Sequence, residues 1–222
     1  MATTLRFNRF SGFPVVRHVG SDKVRVKPSF GDWVSAYHIH RRFAWRLGAQ
    51  HIATTRALAC LSAVVRRHRP KTVLEFGAGI GTLTYLLLSG RDPRLNVVAL
   101  ETNPFCLAQL ERNIPEEFKP RLTIIAAGGP VPDIHFDLIV VDGRLPATPD
   151  WAFLQRGTVL FVEGDREYQC SKLMRIARTK NLVCDLDKQS FGELSLGRRK
   201  TRFGFYVPIF RRRKTCRVGV TE

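Results

Sequence analysis

Val73-Leu74-Glu75-Phe76-Gly77-Ala78-Gly79-Ile80-Gly81-Thr82 sets a short apolar run against a turn with a glycine at every second position. Residues 72–76 read as a buried strand, and residues 80–88 as the start and body of a helix. A glycine turn between strand and helix is suited to a ligand, because it lets a ligand lie close against backbone. The spacing is G-x-G-x-G. The pyrophosphate fingerprint G-x-G-x-x-G is not met, since Thr82 stands three residues after Gly79. Glu75 stands close before the turn. A carboxylate there is unhelpful to pyrophosphate, but it can bond to an amino group, directly or through water.

The same alternation extends on both sides of this turn. Apolar runs at 95–100, 122–126, 136–141 and 158–162 read as further strands, and 182–186 and 202–209 supply two more. Helices are expected at 49–67, which Pro70 ends, at 105–112 after the Asn103-Pro104 cap, and at 167–179. Strands that alternate with helices, and that are apolar almost throughout, predict an α/β fold. The expected sheet is doubly wound, mostly parallel, seven-stranded and Rossmann-like, with helices on both faces. The loops after Phe76, Leu100, Ala126, Val141 and Val162 then share one rim, where such sheets bind ligands. Glu101, 20 residues after Gly81, falls on that rim. A carboxylate there can accept both hydroxyls of a ribose.

Phe136-Asp137-Leu138-Ile139-Val140-Val141-Asp142-Gly143 gives a third mark, in order along the chain. With these marks, residues 49–210 resemble the class I S-adenosylmethionine-dependent methyltransferases, nearest in pattern to the small O-methyltransferase-like members. Glu75-x-Gly77-x-Gly79-x-Gly81 resembles the family's first motif, Glu101 its second and residues 136–143 its fourth. The resemblance implies S-adenosylmethionine as cofactor, held by Glu75, Gly77, Ala78, Gly79, Gly81 and Glu101. The glycine turn would pack on the methionine part, Glu101 would hold the ribose, and the loop after Ala126 would border the adenine. That loop reads Ala126-Ala127-Gly128-Gly129 and lacks the acid often found there. Adenine recognition then falls to backbone or to other side chains.

Methyl transfer needs a nucleophile held in line with the methyl group, and a base where the acceptor is a hydroxyl. Asp142, at a strand end beside the glycine turn, is the catalytic candidate as base, acceptor orienter or metal ligand. The plainer role for an Asp-Gly pair is a turn. Asp137 begins the same strand and is expected to be structural at the far rim. Glu163 and Asp165 with Asp142 would make an oxygen-rich cluster of the kind that takes Mg²⁺ or Ca²⁺. Cation-dependent catechol-type enzymes use an Asp-Asn pair where this chain has Glu163-Gly164, so no metal is assigned, and Asp165 reads equally as a helix cap. The six histidines lack zinc spacing. His38 and His40 lie in a candidate lid, where packing or surface roles are commoner than a base. No Asn-Pro-Pro-Tyr or Asp-Pro-Pro-Tyr stretch follows the fourth strand, which argues against the amino-methylating enzymes that use it.

The chain of 222 residues divides into a basic and aromatic arm and lid at 1–47, the cofactor-binding domain at 48–210 and a basic tail at 211–222. The formal net charge is +17, which attracts polyanions without defining a fold. Arg198-Arg199-Lys200 and Arg211-Arg212-Arg213-Lys214 flank aromatics that alternate as one face of a last strand. The expected partner is a small-molecule acceptor enclosed by the arm. The first alternative is an RNA methyltransferase using the Arg211–Lys214 cluster, with Asp142, Lys172 and Glu193 in a Lys-Asp-Lys-Glu set that lacks its first lysine. The second is a catalytically inactive basic binding module, against which Glu75 and Glu101 speak, since neither is needed to fold the domain. Five scattered cysteines without a CxxC pair suit a reducing, cytoplasmic setting. The first 20 residues hold Arg6, Arg9 and Arg17 and no acid, a faint transit-peptide pattern for which a basic arm is the blander reading. No apolar run approaches the ~20 residues that span a bilayer.

Overall fold

A computed structural model describes residues 28–143, 145, 153–155, 158–163, 172 and 175–176, together with the backbone of 182–196 and 199–212. Five strands form a parallel sheet: β1 (Thr72–Phe76), β2 (Asn96–Leu100), β3 (Leu122–Ile125), β4 (Leu138–Val141) and β5 (Val159–Val162). Their order is β3-β2-β1-β4-β5. Beyond β5 run β6 (Leu182–Leu196) and β7 (Arg199–Arg212), longer than the runs 182–186 and 202–209 that the sequence suggested. They pair antiparallel with each other, and β7 pairs antiparallel with β5 at Val159–Ile209 and Val162–Tyr206.

The register levels the carboxyl ends of the parallel strands. Phe76 lies opposite Leu100 and Val141, Leu100 opposite Ile125, and Val141 opposite Val162. The loops that follow therefore leave from one height. Successive residues face opposite sides of a sheet, and here both sides are apolar. Val73, Val97, Ala99, Leu138, Val140 and Phe161 belong to one buried cluster, with Leu58, Leu61, Leu83 and Leu87 among the helical residues packed there. Leu74, Phe76, Val98, Ile139, Val141 and Leu160 belong to the other, with Phe136, Phe153 and Leu154, and Ile176 packs against it. Full burial of each such Leu or Phe contributes about 1.5–3 kcal/mol before chain entropy is charged.

Four helices pack on the first face: α1 (Phe30–Ala44), α2 (Thr55–His68), α3 (Thr82–Leu88) and α4 (Pro104–Asn113). Asn103 accepts the Phe105 N–H at 2.9 Å and Pro104 opens α4, as the sequence predicts. The helix expected at 49–67 begins later. Ala49–His51 is a separate short 3-10 turn after Gly48, and Thr54 caps α2 by accepting the Ala57 N–H at 3.1 Å. The helix expected from Ile80 begins at Thr82, because the glycine turn runs on to Gly81. α2 ends at Arg69, whose φ of 48° is left-handed, just before Pro70. Most of the helix expected at 167–179 lies outside the described residues; 172, 175 and 176 are helical.

α1 covers residues read as arm and lid, and it is anchored on the domain. Ala36, Ile39 and Phe43 sit in the same cluster as α2 and α3. Ser29 and Asp32 form a capping box, and the Asp32 carboxylate also accepts from Ser62 at 2.7 Å and from Arg66 at 3.0 Å. Among the described residues no helix is long and apolar enough to cross a membrane.

Candidate active site

The glycine turn is fastened to the end of β2 by its own N–H groups. Gly77 and Ala78 donate to the Leu100 carbonyl at 2.9 and 3.2 Å, and Gly79 donates to the Glu101 carboxylate at 2.7 Å. Gly81 caps α3 and donates to the Ala78 carbonyl at 3.0 Å. Two glycines differ in what their missing side chains permit. A β-carbon on Gly77, at φ +80°, would lie 2.5 Å from the Gly143 α-carbon, so the loops after β1 and β4 touch backbone to backbone. A β-carbon on Gly79, at φ +56°, would meet nothing within 4 Å. The turn therefore faces open space at Gly79. Gly143 closes the 136–143 stretch that resembles the fourth motif, but its sequence context signals no role beyond the turn of an Asp-Gly pair.

Glu101 is nearly buried, 9% exposed. Besides the Gly79 bond, its second oxygen accepts from Thr102 at 2.7 Å and Asn103 at 2.8 Å. These three N–H groups fill three of the roughly four sites a carboxylate offers. One further donor fits, and a second would take the place of the Gly79 N–H.

Glu75 is sealed from solvent, at 0% exposed. Thr84 donates its hydroxyl to one carboxylate oxygen at 2.7 Å, and Oε1 has no hydrogen-bond partner. Burial pushes its pKa up to about 7 from 4.5; the Thr84 bond opposes the rise and the charge of Glu101 adds to it.

Asp142 follows β4, half-buried, and its N–H donates to the Phe76 carbonyl at 2.8 Å. With the Gly77–Gly143 contact, this seats the Asp142 backbone against the glycine turn. Glu163 follows β5, and its N–H donates to the Val141 carbonyl at 2.9 Å. Asp165 lies outside the described residues, among which no three His, Cys, Asp or Glu side chains converge as a metal site. Asp137 is at the opposite rim, where it accepts the Lys71 and Thr72 N–H groups at 2.8 and 3.1 Å. The backbone bonds hold its pKa below the ordinary range against the opposing effect of burial. The loop at 126–129 is exposed beside Glu101, whose N–H donates to the Ile125 carbonyl at 3.1 Å. His38 is exposed with its ring against Tyr37, and His40 is half-buried. Arg211 and Arg212 end β7, and Arg213 and Lys214 lie outside the described residues.

No protein-family model and no curated protein matches the chain. Solved structures do. The O-methyltransferase TomG from Streptomyces achromogenes, involved in tomaymycin synthesis and solved with S-adenosylmethionine, aligns at TM-score 0.55 and 15% identity, over 85% of this chain and 92% of its own. An O-methyltransferase from Bacillus cereus, solved with S-adenosylhomocysteine, aligns at 0.52 and 16%, over 82% and 92%. The methyltransferase PaMTH1 from Podospora anserina, also solved with S-adenosylhomocysteine, aligns at 0.52 and 16%, over 95% and 100%. At these identities the likeness establishes the fold, which is that of class I, Rossmann-like methyltransferases.

Proposed function

We propose that this chain is an S-adenosylmethionine-dependent methyltransferase that acts on a small-molecule acceptor, at oxygen. One observation carries the reading: the turn after β1 faces open space at Gly79, beside the Glu101 carboxylate, with the Asp142 loop packed against the same turn. In this reading β6 and β7 complete a seven-stranded, doubly wound sheet, with the hairpin at its β5 edge.

The cofactor supplies a methyl group on a sulfonium centre, which is the electrophile. The residues fit such a group. Gly79 presents no side chain to exclude it. Glu101 has a site left for a ribose hydroxyl, and it takes a second if Gly79 releases its bond. Glu75, whose Oε1 has no hydrogen-bond partner, would offer an accepting oxygen to the cofactor's amino group through an intervening water. The exposed loop at 126–129 would border the adenine. The Asp142 carboxylate accepts a hydrogen bond from the acceptor hydroxyl, aims its oxygen along the line of transfer and takes its proton. The O-methyltransferases that share the fold support oxygen as the methylated atom, as does the lack of an Asn-Pro-Pro-Tyr stretch after β4.

Calorimetric titration with S-adenosylmethionine and S-adenosylhomocysteine tests the cofactor. Wild type is expected to bind both, and failure to bind either sinks the reading. Gly79→Val fills the open space from a left-handed residue. It is expected to weaken binding by ~100-fold while costing about 1–2 kcal/mol of stability. Transfer of labelled methyl to a panel of hydroxylated and amine compounds tests the acceptor. Asp142→Asn is expected to lose about 100-fold or more in turnover with cofactor affinity kept. Equal turnover by Asp142→Asn would remove Asp142 as base.

A further inference from the structure

α1 carries a second apolar stripe that the fold does not use. Its inner face is spent on α2 and α3. On the outside, Phe30, Trp33, Val34 and Tyr37 recur at i, i+3, i+4 and i+7, and they are 85%, 40%, 39% and 52% exposed. Past the helix end, Trp45 and Leu47 are 88% and 69% exposed. An exposed apolar row of this kind marks a binding face.

The charges around the row say what it meets. Arg41 continues the stripe, with its guanidinium 5.8 Å from the Tyr37 ring centroid, and Arg46 stands exposed between Trp45 and Leu47. Asp32, the only acid in residues 30–47, is buried and paired with Arg66. The occupant must therefore be apolar and anionic together. A second copy meets the apolar need but brings together two chains of net charge +17, with no exposed acid in residues 30–47 to pair the other copy's arginines. RNA offers phosphates, but no apolar bed for Val34 and Leu47. An anionic bilayer offers both: acyl chains for the apolar row, phosphates for the arginines, and the interfacial layer that Trp and Tyr favour.

We propose that α1 and the turn after it dock this protein on an anionic membrane surface. The helix lies in the head-group plane, with Phe30, Trp33, Val34 and Tyr37 toward the acyl chains and Arg41 and Arg46 on lipid phosphates. Gly48, at the end of this face, packs on Ile80 of the glycine turn, so the bilayer surface lies beside the candidate active site. The inference stands on the surface of α1 and does not depend on methyl transfer.

The test uses the full chain and vesicles of phosphatidylcholine, with and without phosphatidylglycerol. Expected results are co-sedimentation with the anionic vesicles, a blue shift of tryptophan emission, and weakening by salt. Trp33→Ser with Trp45→Ser is expected to weaken vesicle binding by ~tenfold or more, since affinity scales with buried apolar area. Trp45→Ser alone, at a side chain 88% exposed, is expected to keep the thermal midpoint and still to weaken vesicle binding. Arg41→Ala with Arg46→Ala is expected to weaken binding to anionic vesicles by ~tenfold or more, the remaining basic charge of the chain sustaining a residual preference. Three results overturn the proposal. Wild type ignores both vesicles; the tryptophan variant binds them as well as wild type, which puts the contact elsewhere; or the emission shift appears with single-stranded RNA or on self-association and not with vesicles.

Discussion

Glu75 is a carboxylate with no exposed surface and one unpartnered oxygen, and such a group costs stability wherever it is ionised. Its folded pKa of about 7 lies above the ordinary 4.5. Below 4.5, folded and unfolded chains both hold the proton, and nothing is lost. From there up to about 7 the unfolded chain ionises first, so stability falls as pH rises, by ~3 kcal/mol across the window. Above it the penalty is constant. Glu75→Gln removes the slope. It is expected to match wild type near pH 4 and to exceed it by up to ~3 kcal/mol near pH 8 in urea unfolding. A difference between the two proteins that stays level with pH refutes this account. A residue that weakens the fold at neutral pH is one that function retains, which supports its place under the proposed cofactor turn.

Among the elements, α1 is the one whose attachment the sequence conceals. The sequence showed only its basic and aromatic residues within an arm and lid at 1–47, and the tie that fixes it runs through Asp32 to Ser62 and Arg66, 30 and 34 residues away. No local spacing encodes such a pairing. Burial alone raises the Asp32 pKa, yet the bonds from Arg66, Ser29 and Ser62 outweigh it and bring the value down to about 2. The stability this contributes is complete above the ordinary 3.8 and is lost as pH falls toward 2. Asp32→Ala removes the reciprocal half of the capping box and the ties to α2, while the Ser29 hydroxyl can still accept the N–H of residue 32. The expected loss is about 2–3 kcal/mol at neutral pH, held to that size because Arg66 is half in water. Unfolding in urea measures it, and a loss below ~0.5 kcal/mol would mean that Ala36, Ile39 and Phe43 hold α1 unaided. β1 and α4, by contrast, were legible to the residue or nearly so. A glycine turn ends one and an Asn-Pro cap begins the other, and both signals are local. The start of α2 was misread because Ile52 fits a helical period, whereas its backbone is extended and Thr54 caps a new start. The lengths of β6 and β7 follow from pairing with each other, which neither strand announces alone.

At the scale of the molecule, the level rim of five parallel strands was legible from strand–helix alternation, because topology follows from it. The meeting of Gly77 with Gly143 was not, since it joins two loops far apart in sequence. No side chain mediates that meeting: a β-carbon on either glycine would come within 2.7 Å of the other's backbone. The spacing between the turn and the Asp142 loop is thus a property of main chain, indifferent to rotamers and to the identity of nearby residues. A frame of that kind separates two kinds of change in descent. Residues around the acceptor can be exchanged, and new acceptors admitted, without resetting where a bound cofactor would sit. In the proposed enzyme the two glycines would be the fixed joint behind such exchanges.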